Sequence, residues 1–307
     1  MTDRRSMLGL LGACGALAAA GLLTACRSAG LPAAGPATAP ATPPTVPGTP
    51  GAGPLRYGPD PSQYSVLHMP SGTAPSLPVV VVVHGGYWRA AYGLELGTPL
   101  AVDLTNSGVA ALNVEYRRTG GTGGFPMTFD DVAAAVDGLA GAGQRAAGGR
   151  LDLSRVVVIG HSAGGQLAVW AVSRTRLRAP APGAAPVVRP RGAVAQAGVL
   201  DLAAAAYQDL GGGATVALLG GPPAAYADRY AVTSPAALVP AGVPVVAVHG
   251  TADTTVPIDQ SVRYVDAAVA AGGQARLRPI EGADHFELID PSTPAWAAVR
   301  EEVLRLL

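Results

Sequence analysis

The sequence predicts an α/β domain, with a mostly parallel central sheet and helices on both of its faces. Three observations carry that expectation. Short apolar, β-branched runs alternate with alanine-rich stretches at helical spacing, the pattern of strand–helix–strand units. Val79–Val83 is five valines in a row, which suits a central strand covered on both faces. From Leu55 to Leu307 no second linker interrupts the chain, and about 250 residues suit one large domain.

The elements follow in chain order. The valine strand is bounded by Pro78 and by His84-Gly85-Gly86. Leu94–Asn106 reads as a helix and Ala110–Tyr116 as the next strand. Phe129–Leu139 has apolar positions at helical spacing, opened by Thr128 with Asp131 three residues later as a capping pair. Arg155–Ile159 is a second buried strand; it runs directly into Gly160-His161-Ser162-Ala163-Gly164-Gly165 and the helical Gln166–Val172. Ala193–Val199, Val243–Val248 and Ala275–Ile280 are the later strands, and Gln260–Ala271 and Ala295–Leu307 the later helices. No internal repeat is visible.

Composition narrows the function. With 21 basic and 21 acidic residues the net charge is zero, whereas a nucleic-acid binder needs a basic excess to displace counterions. No lysine occurs, so every base is arginine. At 49% hydrophobic and 14% charged residues the chain is too apolar to be disordered as a whole. Both cysteines, Cys14 and Cys26, lie near the N-terminus, which leaves the domain without a disulfide framework or a cysteine-based metal site.

Residues 1–26 read as an export signal. Arg4-Arg5 supply the positive start, and Met7–Ala25 carries no charge and ends in Leu23-Thr24-Ala25-Cys26. That ending resembles the lipobox of bacterial lipoproteins, which implies lipidation at Cys26; a plain membrane anchor is the alternative. Either way the expectation is a protein exported to the cell envelope and tethered outside the cytoplasm. Residues 27–54 are rich in Ala, Pro, Gly and Thr, cannot bury enough area to offset the entropy of ordering, and read as a disordered linker. Residues 55–307 are the expected folded domain.

The chemistry centres on Gly160-His161-Ser162-Ala163-Gly164, a G-x-S-x-G between a strand and a helix. That is the setting a nucleophile elbow needs: the glycines allow a tight turn that lifts the Ser162 hydroxyl above the sheet. A serine hydroxyl needs a base. Of the five histidines, His84, His161 and His249 sit at strand ends beside glycine and read as satisfied structural residues, while His68 lies in an early strand. His285 follows the last strand through Glu281–Asp284 and is the candidate base. Asp253, just after the strand Val243–Val248, is the candidate acid that orients it. Asp201 and Asp259 compete; Asp201 opens the helical Leu202–Ala206 and suits an N-cap. The oxyanion of a tetrahedral intermediate needs donors, for which the amides of Gly86, Tyr87 and Ala163 are the candidates. The histidines lie on separate loops without ligand spacing, so neither a metal nor an organic cofactor is expected.

Together these motifs resemble the α/β-hydrolase superfamily. His84-Gly85-Gly86-Tyr87-Trp88 is similar to the H-G-G-[GY]-W loop of its carboxylesterase, hormone-sensitive-lipase and kynurenine-formamidase-like branch. Tyr87 in place of a third glycine is closer to formamidase-like and bacterial feruloyl-esterase-like members. His249–Pro257 resembles the acid loop of those esterases, of dienelactone hydrolases and of prolyl-oligopeptidase-type peptidases; Gly282–Phe286 resembles their histidine loop. The absence of a propeller departs from the oligopeptidases. The resemblance implies a serine hydrolase acting on a small-molecule ester. An amide or formamide hydrolase or a small peptidase would use the same residues, and a non-catalytic binding module is the third reading. Tyr87 and Trp88 are expected to line the entrance. The stretch of about 40 residues between Leu200 and Pro244 suits a small lid with Tyr207, Leu218, Leu219, Tyr226 and Tyr230 as its larger side chains; core packing of Leu218 and Leu219 is the alternative. The scarcity of aromatics favours short acyl groups.

Overall fold

Alternation along the valine strand decides the layers. In the computed structural model, which describes residues 53–307, Val79, Val81 and Val83 enter one apolar cluster with Phe129, Val132, Leu167 and Trp170. Val80 and Val82 enter a second with Leu100, Leu104, Trp296 and Val299. One strand thus feeds two cores, because successive side chains point to opposite faces and both are covered by helices. The expected export signal, Cys26 and residues 27–52 of the linker lie outside the described residues.

Eight strands form the sheet: β1 (Leu55–Arg56), β2 (Tyr64–His68), β3 (Leu77–Val83), β4 (Ala110–Val114), β5 (Leu151–His161), β6 (Gly192–Gln196), β7 (Val245–Gly250) and β8 (Ala275–Ile280). Their spatial order is β1-β2-β4-β3-β5-β6-β7-β8, antiparallel at β1–β2 and β2–β4 and parallel elsewhere. The helices are α1 (Thr98–Thr105), α2 (Met127–Asp137), α3 (Ala142–Ala146), α4 (Ala163–Ser173), α5 (Leu202–Tyr207), α6 (Ala214–Leu219), α7 (Ala227–Thr233), α8 (Asp259–Ala270) and α9 (Pro294–Leu306). This is the α/β-hydrolase fold, and α4 is its central helix, buried along its whole length.

Two features position a site. From β3 the chain crosses to β4 on one side and returns to β5 on the other, which opens a crevice at the C-terminal ends of β3 and β5. The registers then set which loops emerge together. Val83 pairs with Gly160, so the loop after β3 and the elbow after β5 leave the sheet side by side. Gly250 pairs with Ile280, so the loops carrying Asp253 and His285 do the same.

Several local expectations are corrected. The N-cap of α2 is Pro126, not Thr128. The Thr128 hydroxyl instead donates to Arg117 O and accepts from Gly124 N, and Asp131 binds the Arg117 guanidinium and Gln63, because tertiary partners outcompete the local cap. The helix expected over 94–106 is a 3-10 turn at Leu94–Leu96 followed by α1. Within residues 200–244 the core-packing alternative holds for Leu218 and Leu219: both are fully buried, and Leu218 O accepts from Phe125 N. Tyr207 is the large side chain that this segment exposes.

Candidate active site

The elbow is built by close approach. A Cβ on Gly164 would lie 2.1 Å from Val83 O, and one on Gly160 2.1 Å from Gly164 O, so neither position admits a side chain. Between them Ser162 takes φ 54° and ψ −118°, a left-handed conformation that costs about 1–3 kcal/mol for a residue with a side chain. Its amide donates to Gln196 O at 2.8 Å, which anchors the turn to β6. Ser162 is the N-cap of α4, so the free first-turn amides and the helix dipole point at the crevice.

The candidate acid and the candidate base meet. His285 Nδ1 lies 2.6 Å from Asp253 Oδ2. Asp253 Oδ1 accepts from Thr255 N at 2.8 Å and Val256 N at 2.9 Å. Burial pushes the Asp253 carboxyl up, but hydrogen bonds from His249, His285 and Val256 outweigh it and hold the group well below the usual carboxylate range. The carboxylate forces His285 Nδ1 to carry a proton in the neutral ring and leaves Nε2 free to accept one. His285 packs against the elbow: its ring centroid is 4.4 Å from that of His161, and its carbonyl receives His161 Nε2–H at 2.9 Å. Among the described residues no hydrogen bond joins the Ser162 hydroxyl to His285. Contacts of that kind tighten in substrate complexes.

Asp201 lies elsewhere in the machinery of the fold: it caps α5, accepting from Ala204 N at 3.0 Å. Asp259 opens α8 and pairs with Arg263.

The loop after β3 carries two consecutive left-handed residues, Tyr87 at φ 51° and Trp88 at φ 55°. Such strain persists only where surroundings fix it. Thr119 N and Oγ1 both donate to Trp88 O, and the Tyr87 hydroxyl donates to Thr255 O on the loop of Asp253. Among the described residues the amides of Gly86, Tyr87 and Ala163 donate to no protein acceptor. Trp88 does not line the entrance: its indole is buried and its Nε1–H donates to Gln166 Oε1 at 3.1 Å, since a buried indole needs an acceptor. It supports the loop from beneath. Tyr87 remains partly exposed.

The sequence profile of the BD-FAE family matches residues 66–267. The chain belongs to the BD-FAE family. The matched segment includes Ser162 and Asp253 and ends before His285. No curated protein matches the chain. Several solved structures share its fold. A truncated carbohydrate esterase from gut microbiota is 20% identical with a TM-score of 0.67, covering 82% of this chain and 94% of that one. Esterase 2 of the planctomycete Thermogutta terrifontis, with propionate bound, is 25% identical with a TM-score of 0.66; its butyrate-bound form is 24% identical at 0.67. Each covers 84% of this chain and 94% of that one. A bifunctional GH43-CE protein of Bacteroides eggerthii is 23% identical with a TM-score of 0.66 over 82% of this chain, which spans about a third (34%) of its length.

Within this BD-FAE domain the histidines expected to be merely structural are indeed buried and satisfied, yet each holds a part of the site. His84 lies with Nδ1 2.7 Å from Gly85 O and Nε2 3.2 Å from Glu115 Oε1, and stacks on Tyr116. Glu115 also accepts from Leu94 N, Tyr116 N and Arg118, so it ties the loop after β3 to the end of β4. Burial raises the Glu115 carboxyl, but its bonds to His84, Arg118 and Tyr116 hold it below the usual value. His161 is pushed down to about 3, by burial first and then by His285, so it is a neutral donor. Gln166 binds Trp88 and, through Nε2, Thr233 O at 2.9 Å. The available signal was position: in a parallel sheet, polar residues at strand C-termini converge.

Proposed function

We propose that this protein hydrolyses carboxylic esters of short acids through an acyl-enzyme on Ser162. The Ser162 oxygen attacks the ester carbonyl carbon while His285 Nε2 takes the hydroxyl proton. The carbonyl π pair moves onto oxygen, where the amides of Ala163 and of Gly86 or Tyr87 receive it. Collapse breaks the bond to the alcohol oxygen, which leaves with the proton from His285. Water then attacks the acyl-enzyme, giving its proton to His285, and the second collapse returns that proton to Ser162 and frees the acid. Asp253 holds the ring throughout and stabilises the imidazolium.

The observation that carries this reading is the 2.6 Å Asp253–His285 hydrogen bond set against a serine in elbow geometry. The bound propionate and butyrate of the T. terrifontis esterase support short acyl groups. A panel of nitrophenyl esters of increasing acyl length, beside formyl and aminoacyl anilides, tests it. Turnover that peaks at short esters and vanishes in Ser162→Ala is expected; faster anilide turnover would move the reading to an amidase. We further propose lipidation at Cys26 and export, tested by metabolic lipid labelling that Cys26→Ala abolishes.

A further inference from the structure

We propose that His249 is a positioning residue that sets the strength of the catalytic carboxylate, resting on the triad reading above. His249 is the penultimate residue of β7 and is completely buried. Its Nε2 faces two oxygens that only accept: Val256 O at 2.9 Å and Asp253 Oδ2 at 3.3 Å. Its Nδ1 lies 2.8 Å from Ser261 Oγ on α8. One arrangement of a neutral ring satisfies all three contacts. Nε2 carries the proton and shares it between Val256 O and Asp253, while the Ser261 hydroxyl donates to Nδ1.

The consequence lies on Asp253 Oδ2. That oxygen receives His285 from one side and His249 from the other, while Oδ1 receives two backbone amides. Every extra donor lowers the basicity of the carboxylate and holds its orientation. His249 therefore competes with His285 for the same negative charge, and its ring is fixed by a separate helix through Ser261. The titratable groups facing this oxygen from the packed elements are His249 after β7, His285 on the base loop, His161 at the end of β5 and Tyr87 on the oxyanion loop.

The test uses the full chain and two variants. The Gln amide nitrogen reaches the place of imidazole Nε2, so His249→Gln keeps the donor; the shorter Asn reaches only the place of Nδ1, so His249→Asn removes it. In His249→Asn the carboxylate holds the His285 proton more tightly. The acid limb of kcat/KM is expected to move to higher pH, with kcat down about 10-fold and KM within about 2-fold. His249→Gln is expected to restore the acid limb and most of kcat. The proton resonance of the Asp253–His285 hydrogen bond reads the same network without turnover, and it should move in His249→Asn and stay in His249→Gln. A wild type inactive on every ester would sink the esterase reading and leave this resonance to decide. The positioning role is overturned if His249→Asn leaves both acid limb and resonance unmoved, including the case where both variants lose activity only in step with their melting temperature.

Discussion

Two buried carboxylates beside neighbouring strands serve this molecule differently. Asp253 sits at the C-terminal edge of the sheet among His249, His285 and backbone amides. Glu302 sits on α9, where it binds Arg276 and Arg278 of the edge strand β8. Burial raises both acids and their partners more than offset it, so both stay ionised. The partners make the difference. An arginine never gives up its proton at any pH a protein survives, so the Glu302 cluster is chemically inert. There it places charge along an exposed sheet edge, which discourages pairing with another chain. A histidine exchanges protons near neutrality, so the Asp253 cluster can move one. On the proposed mechanism, one residue type thus separates a structural ion cluster from a chemical one.

The comparison breaks if the Asp253 site can be altered without losing ester turnover. Ser162→Ala is expected to lower ester turnover by about 10⁶-fold with the melting temperature preserved, measured by initial rates and calorimetry. Asp253→Asn should cost about 10⁴-fold, because the amide no longer enforces the productive tautomer of His285. Gln166→Leu strips the buried Trp88 N–H of its acceptor and Thr233 O of its donor. A stability loss of about 2–4 kcal/mol is expected from denaturant unfolding.

Acid sharpens it further. Because the folded-state value of His161 lies below its unfolded one, its contribution is present above about pH 6.5 and is lost as pH falls toward 3. Stability should fall in that window by up to about 1.4 kcal/mol per pH unit from this group, and His161→Gln should flatten the slope. Beside the Glu302 cluster, Arg305→Ala removes an exposed pair with Glu301 and a 3.7 Å contact with Glu302 and should cost about 0.5 kcal/mol or less, with turnover unchanged.

The layers were legible because Val79–Val83 cannot sit at a wet surface, and the elbow because a serine between obligatory glycines follows a buried strand. That Asp253 and His285 meet was legible by chain order. What escaped depends on register. Nothing local in Trp88 reveals that its indole turns inward to Gln166, 78 residues away. Thr128 reads as a cap until the turn at Gly124 and the carbonyl of Arg117 take its hydroxyl. The histidines at strand ends look alike as structural residues until the pairing of β7 with β8 brings the acid and base loops together.

The central claim is that His285 activates Ser162, although no hydrogen bond joins them here. Reaction with a nitrophenyl phosphonate, followed by intact mass and peptide mapping, tests it directly. The account predicts a single adduct on Ser162 in the wild type and labelling slowed by at least about 10²-fold in His285→Ala. An adduct on any other residue, or labelling of Ser162 at an unchanged rate without His285, would contradict it.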